Sequence, residues 1–317
     1  MLKTNNLREQ QIIHRSLSDE EDFWRVHRLL IDTYPTTPLG FNWNIRRWEG
    51  KRFYEENPVW PSPHFSDRVQ LWETIDGYLV GAVFSESDGD AYLQARLPFR
   101  AIEAEMITWA EDHLMTEQTD DHRQLEFFVY DYDTYRQELL ARRGYAKTEQ
   151  GGMSRRLYLN RHSLPEPMIA TGYKLRTTNP ANLADCQRIA DLLNAAFNRN
   201  FHNALEYQNF AQFAPSFQQA LDLVAVAPDG SFAAYVGIPY DKTNQLGIFE
   251  PVCTHPEHRR RGLAQALMRE GLRRLHAVGA LDVIVETGDM IPANRLYDNI
   301  GFTEICRGAI WRYIFES

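Results

Sequence analysis

Cysteine is scarce in this chain. Its three cysteines, Cys186, Cys253 and Cys306, are odd in number and scattered over 317 residues, which excludes a disulfide framework and points to a reducing compartment. No Cys/His spacing has the form of a zinc site, so no metal is expected. The opening Met1-Leu2-Lys3-Thr4-Asn5-Asn6 lacks the apolar core of a secretory signal. No apolar run reaches the length that spans a bilayer. The expectation is a cytoplasmic protein without a membrane partner. Positive charge is also short, with Lys+Arg 34 against Asp+Glu 43 and a net charge of −9. The surface therefore does not advertise a nucleic acid or an anionic membrane as partner, and it leans towards a cationic acceptor such as an amine. A monomer or homodimer is expected.

What is present fits a globular protein, with 44% hydrophobic and 24% charged residues. The length suits one large or two ordinary domains, and the landmarks favour two. Each half offers a first strand, Gln11–Leu17 or Tyr173–Thr177, and then a helix. The first helix is capped by Ser18-Asp19-Glu20-Glu21; the second covers Ala181–Phe197. Each half continues with an irregular aromatic stretch, Thr33–Pro61 or Asn198–Phe217. Next comes a hairpin turning at Asp76-Gly77 or Asp229-Gly230. Helices end at Gly144-Tyr145 and Gly301-Phe302, and the paired landmarks are offset by roughly 150 residues. Strands are expected at Met153–Leu159 and Leu281–Glu286, with a final strand pair over Ile305–Phe315. Asn160–Ala170, with Pro165 and Pro167, reads as the linker. The division is 1–160, a linker 161–170, and 171–317.

The most informative stretch is Gly247–Ala264. An apolar run up to Pro256 reads as a strand. Arg259-Arg260-Arg261-Gly262-Leu263-Ala264 then leads into a helix with apolar residues at Leu263, Ala266, Leu267, Leu275 and Val278. Unpaired N–H groups at a helix N-terminus, reached over small residues, form a place to hold phosphates. The matching stretch of the first half, Leu97 to Ala104, has no Gly and carries Glu103, a carboxylate that would repel an anion.

Arg259-x-x-Gly262-x-Ala264, flanked by Thr254-x-Pro256 and by Leu296-Tyr297-x-x-x-Gly301-Phe302, resembles the pyrophosphate signature and ending of the GNAT superfamily of N-acyltransferases. The resemblance implies an α/β (α+β) fold of two tandem GNAT-like domains, each a mostly antiparallel mixed sheet flanked by helices. It implies a degenerate first copy and a catalytic second one. The implied activity is acetyl-CoA-dependent transfer of an acetyl group, directly and in a ternary complex, to the primary amine of a small molecule. Alternatives are a non-catalytic acyl-CoA sensor and a protein or peptide amine acetyltransferase. By the resemblance, backbone groups of Arg259, Arg260, Arg261, Gly262, Leu263 and Ala264 cradle the pyrophosphate. Val252 and Thr254 pair with the pantetheine arm, and an N–H near Val252 or Cys253 faces the thioester oxygen. Tyr297 is the expected proton donor to the thiolate; a phenol with a pKa near 10 stays protonated at neutral pH. Glu286, ranked first, and Glu250 are the candidate bases. Cys253 reads as a packed strand residue, not a nucleophile. The family often has an Asn where Met290 stands here, and Asn294 is the available substitute.

Overall fold

Asp19 starts the first helix by accepting a hydrogen bond from the Asp22 N–H. The computed structural model describes residues 11–60, 68–117, 122–161 and 163–316. Met1 to Asn6, Pro61 and His162, which the sequence reading touched, lie outside the described residues.

In chain order the elements are β1 (Ile12–Ser16), α1 (Glu20–Thr33), α2 (Ile45–Phe53), β2 (Val69–Thr74), β3 (Leu79–Phe84), β4 (Tyr92–Ala95), α3 (Glu103–His113), β5 (Thr116–Glu117), β6 (His122–Tyr130), α4 (Thr134–Arg142) and β7 (Ala146–Tyr158). There follow β8 (Lys174–Thr177), α5 (Leu183–Phe197), α6 (Ala204–Phe213), β9 (Leu223–Val226), β10 (Phe232–Val236), β11 (Tyr240–Asp241), β12 (Leu246–Ile248), β13 (Val252–Thr254), α7 (Leu263–Ala277), β14 (Asp282–Gly288), α8 (Ile291–Ile300) and β15 (Glu304–Glu316). The fold is a mixed α/β one.

Four expectations need correction. The stretch Thr33–Pro61 contains helix α2, started by the Asn44 side chain accepting from the Arg47 N–H. The stretch Asn198–Phe217 contains α6, whose Asn203 and Glu206 form a reciprocal capping box. The end of the chain is one strand, not a pair: Gly308 is no turn but a close approach, where a Cβ would lie 2.7 Å from the Val129 carbonyl oxygen. The apolar run before Pro256 is two short strands, β12 and β13, in different sheets. In addition, Val278 lies past the end of α7 and is exposed.

The chain forms two compact units, neither of them a continuous segment. The first comprises 1–43, 59–152 and 306–317; the second comprises 44–58 and 153–305. Segment 44–58, from the middle of the expected first copy, thus packs in the second unit. In the first unit β1-β2-β3-β4 form an antiparallel sheet, and β15 runs antiparallel to β6 from Gly308 against Tyr130. Trp72, Met106, Ile107, Leu125 and Phe127 are central to its core. In the second unit β8-β9-β10-β13 are antiparallel, while β12 pairs in parallel with β14. Helix α7 buries Leu263, Leu267, Leu272 and Leu275 in that unit's core. Gly271 brings it close: a Cβ there would meet Ile238 Cδ1 at 2.4 Å.

Candidate active site

The site begins where the chain changes sheets. The Phe249 N–H donates to the Ile284 carbonyl on β14 at 2.9 Å, and the next N–H, of Glu250, donates to Gly237 beside β10 at 3.1 Å. Beyond that point β13 belongs to the sheet of β10 and leaves β14. The Gly237 N–H donates to the Pro251 carbonyl, and the His255 N–H to the Ala233 carbonyl. With the register of Cys253 opposite Tyr235, the backbone groups of 251, 253 and 255 face β10. Those of Val252 and Thr254 face the other way, along the outer edge of the sheet. The Cys253 N–H is therefore spent on the ladder, which leaves Val252 as the candidate for the thioester oxygen. The Cys253 thiol is buried and pushed up to about 12 by that burial, which suits a packed residue and not a thiolate nucleophile.

After β13 the chain turns into α7. Arg260 and Gly262 both adopt left-handed backbone angles, with φ of 63° and 71°. A Cβ on Gly262 would meet nothing within 4 Å, so the turn is open. The first intrahelical bond runs from the Ala266 N–H to the Gly262 carbonyl, leaving the N–H groups of Leu263, Ala264 and Gln265 outside the helical ladder. Arg260, Arg261 and Gly262 are exposed. Arg259, also exposed, bonds back to the protein surface, with Nη2 donating to the Ala196 carbonyl at 3.1 Å and Nε to that of Thr254 at 3.5 Å.

Tyr297 is buried on α8, and its phenol is pushed up to about 12 by burial and by the negative charge of Glu250, with Arg155 opposing. It is protonated at any ordinary pH. Asn294 is engaged within the protein: Arg155 Nη2 donates to its Oδ1 at 3.1 Å, and its amide donates to the Gly288 carbonyl at 3.2 Å. Met290, at the start of α8, is exposed.

The two candidate bases meet at one place. The Asn44 amide donates to Glu250 Oε2 at 3.1 Å and to Glu286 Oε2 at 3.3 Å. Arg47 Nε donates to Glu250 at 3.2 Å, and Arg47 Nη2 lies 3.6 Å from Glu286. The Ser154 hydroxyl donates to the second oxygen of Glu286 at 2.9 Å. Both carboxylates stay partly open, at 24% and 19% side-chain exposure. Burial opposes the charge of Glu250, but Arg47, Arg46 and the hydrogen bonds from Asn44 and Arg47 overcome it and hold its carboxyl below the ordinary range. Sequence reasoning missed Asn44, Arg47 and Ser154. Asn44 ahead of Ile45 was a readable helix cap, but nothing local ties it to carboxylates some two hundred residues later.

Among the described residues no His, Cys, Asp and Glu group is placed to hold a metal ion, and no helix is long and apolar enough to cross a membrane.

Comparison with known proteins bears on residues 186–302, which match the Acetyltransferase (GNAT) family. No curated protein sequence matches the chain. Among solved structures, the fold is similar to a GCN5-related N-acetyltransferase from Sphaerobacter thermophilus, at 18% identity over 96% of both chains with a TM-score of 0.66. It is equally similar to a tandem GNAT protein from the clavulanic acid biosynthesis pathway, at 17% identity over 96% of this chain and 98% of that one, with a TM-score of 0.66. A GNAT-family acetyltransferase from Colwellia psychrerythraea matches at 13% identity over 95% and 99% of the chains, with a TM-score of 0.58. The split of β12 from β13, the open turn into α7 and the span 186–302 that matches the GNAT acetyltransferase family all fall in the second unit.

Proposed function

We propose that this protein transfers the acetyl group of acetyl-CoA directly to the primary amine of a small molecule in a ternary complex. One observation carries the reading. The unpaired edge of β13, presenting Val252 and Thr254, runs from the open N-terminus of α7 to the carboxylates held by Asn44 and Arg47. The residues fit the co-substrate: free helix N–H groups suit a pyrophosphate, and an exposed strand edge suits an amide-bearing arm. Acetyl-CoA supplies an activated acyl carbon on a thiol leaving group. The backbone of Arg259 to Ala264 holds the phosphates, and the Val252 N–H stabilises the oxyanion. Glu250 and Glu286 draw the acceptor amine in. A carboxylate of lowered pKa is a weak base, so Glu250 takes the amine proton through water as the nitrogen bonds to the acyl carbon. The carbon–sulfur bond then breaks, and Tyr297 gives its proton to the sulfur. In the same reading the first unit is a degenerate copy that binds no acetyl-CoA. An acetyl-CoA turnover screen against amines tests the proposal: acetylated product is expected. Tight CoA binding without turnover on any amine would leave a sensor instead.

A further inference from the structure

Helix α8 carries Tyr297 on little support of its own. It is ten residues long, no side chain caps its start at Met290, and only Tyr297 and Ile300 are buried along it. A helix so short owes its place to tertiary contacts and not to propensity. The Tyr297 ring packs edge-on against Phe302, with centroids 6.0 Å apart. The turn that bears the ring is tied from another element. Arg155 on β7 donates through Nη1 to Asp298 Oδ1 at 2.6 Å and through Nη2 to Asn294 Oδ1 at 3.1 Å. Asn294 and Asp298 stand on either side of Tyr297 in the chain, so one guanidinium grips the turn at both ends. A planar fork suits that double grip better than a lysine would.

Strand β7 lies beside β14 in its sheet, and successive residues of a strand face opposite sides. Ser154 reaches Glu286; Arg155, the next residue, reaches α8. One strand thus addresses a site carboxylate from one face and the helix of the phenol from the other. The charge of Arg155 is also placed to act. Its side chain is 3% exposed, while that of Asp298 is 58% exposed, so water screens the carboxylate more than the cation. Arg155 is the group that opposes the upward push on the Tyr297 phenol. A phenol is a weaker acid than a thiol, so its transfer of a proton to sulfur gains from a fixed cation nearby. We propose that Arg155 is a positioning residue for that transfer: it fixes the turn of α8 that presents Tyr297 and favours the phenolate left behind. In the step the O–H bond of Tyr297 breaks as the S–H bond forms. Solvent then returns a proton to the phenolate, and Glu250 releases the amine proton to solvent. This rests on the acetyl-transfer reading of the site.

The test is a double-mutant cycle of Arg155→Met and Tyr297→Phe, with kcat and KM for acetyl-CoA measured on ethylamine, putrescine and tyramine. Hydrogen exchange of α8 is followed in the same proteins. Arg155→Met should fold, because the Asp298 it leaves unpaired faces water. Its kcat should fall by about 3- to 30-fold, within the coupling of residues that act together, with KM for acetyl-CoA nearly unmoved. In the Tyr297→Phe protein the same substitution should cost little more. Arg155→Lys, which keeps the charge but not the fork, should recover part of the loss. Exchange across residues 294–298 should quicken in Arg155→Met while the rest of the unit stays protected. An unchanged kcat, an equal fall in both backgrounds, or unaltered exchange in α8 would each overturn the assignment. Quickened exchange with no acetylation by the wild type would keep the tie to α8 and remove the transferase reading. Turnover with an equal fall in both backgrounds would do the reverse.

Discussion

Helices α3 and α7 begin at corresponding places in the two units. Each follows an antiparallel hairpin, β2-β3 or β9-β10, and the outermost strand of a four-stranded sheet, β4 or β13. Their first turns differ in chemistry. At α7 the cap is Gly262, left-handed and exposed, with Arg259, Arg260 and Arg261 ahead of it. At α3 the chain arrives through a short 3₁₀ turn, Leu97–Ile102, with no left-handed glycine. The first helical residue there is Glu103, fully buried. Arg100 Nε donates to Glu103 at 2.7 Å, and Arg136 donates to it through Nε and Nη2, both at 3.0 Å. Asp133 accepts from Arg100 at 2.7 Å. Two carboxylates against two guanidinium groups balance, so Glu103 is not the unpaired, repelling carboxylate expected from sequence. The first residue of this helix is instead a buried carboxylate held between the Arg100 and Arg136 guanidinium groups. One fold position thus carries an open, left-handed start in one unit and a buried ion-paired carboxylate in the other, and under the proposed function only the first is an anion site.

Breaking the open end should have the largest effect. Gly262→Glu brings a negative charge to the cradle and a side chain to a left-handed position. Losing two hydrogen bonds to charged oxygens is worth roughly 3–6 kcal/mol, so CoA affinity should fall by orders of magnitude while the fold persists, since that turn is open. A folded Gly262→Glu protein with unchanged CoA affinity in calorimetry would refute the cradle.

Breaking the ion-paired end should cost stability instead. Glu103→Gln leaves Arg136 buried beside a neutral partner, and removing one member of a buried pair costs about 3–5 kcal/mol. Chemical denaturation should register that loss with CoA affinity unmoved. The pH dependence has a definite sign. The arginines hold the Glu103 carboxyl below its ordinary range despite burial. Its stabilisation is therefore present above the ordinary carboxylate pKa and is lost as pH falls through the depressed folded value. Wild type should lose stability over that acid interval more steeply than Glu103→Gln.

The smallest effect falls on the chemical step. Tyr297→Phe keeps the ring and removes the proton. General-acid contributions run about 10²–10⁴ in rate, and a thiolate leaves without much help, so a fall at or below the lower figure is expected in kcat, with CoA affinity nearly intact. Since the phenol is pushed up to about 12, the ratio of wild-type to variant kcat should stay flat between pH 6 and 9. A ratio that falls through that range would place the phenol's titration there and contradict the assignment.

The sequence revealed the parts of this comparison that depend on neighbours in the chain. Gly262 and the run Arg259 to Arg261 announce an open helix start because a left-handed residue and free N–H groups are local matters. The absence of glycine before Glu103 was equally readable. The partner of Glu103 was not, because Arg136 lies 33 residues on, and no period links an ion pair across that gap. The same limit hid the clamp on Glu250 and Glu286. Asn44 and Arg47 sit on a helix that packs in the second unit although its sequence lies in the first half. Helix α6 was missed for another reason. Its aromatic composition blurred the helical period, although Asn203 and Glu206 spelled a capping box.

Isothermal titration of the intact chain with acetyl-CoA addresses the central claim most directly, because it counts open cradles. One equivalent per chain, abolished by Gly262→Glu and preserved in Glu103→Gln, is the predicted result. Two equivalent sites, or a single site that survives Gly262→Glu, would contradict it.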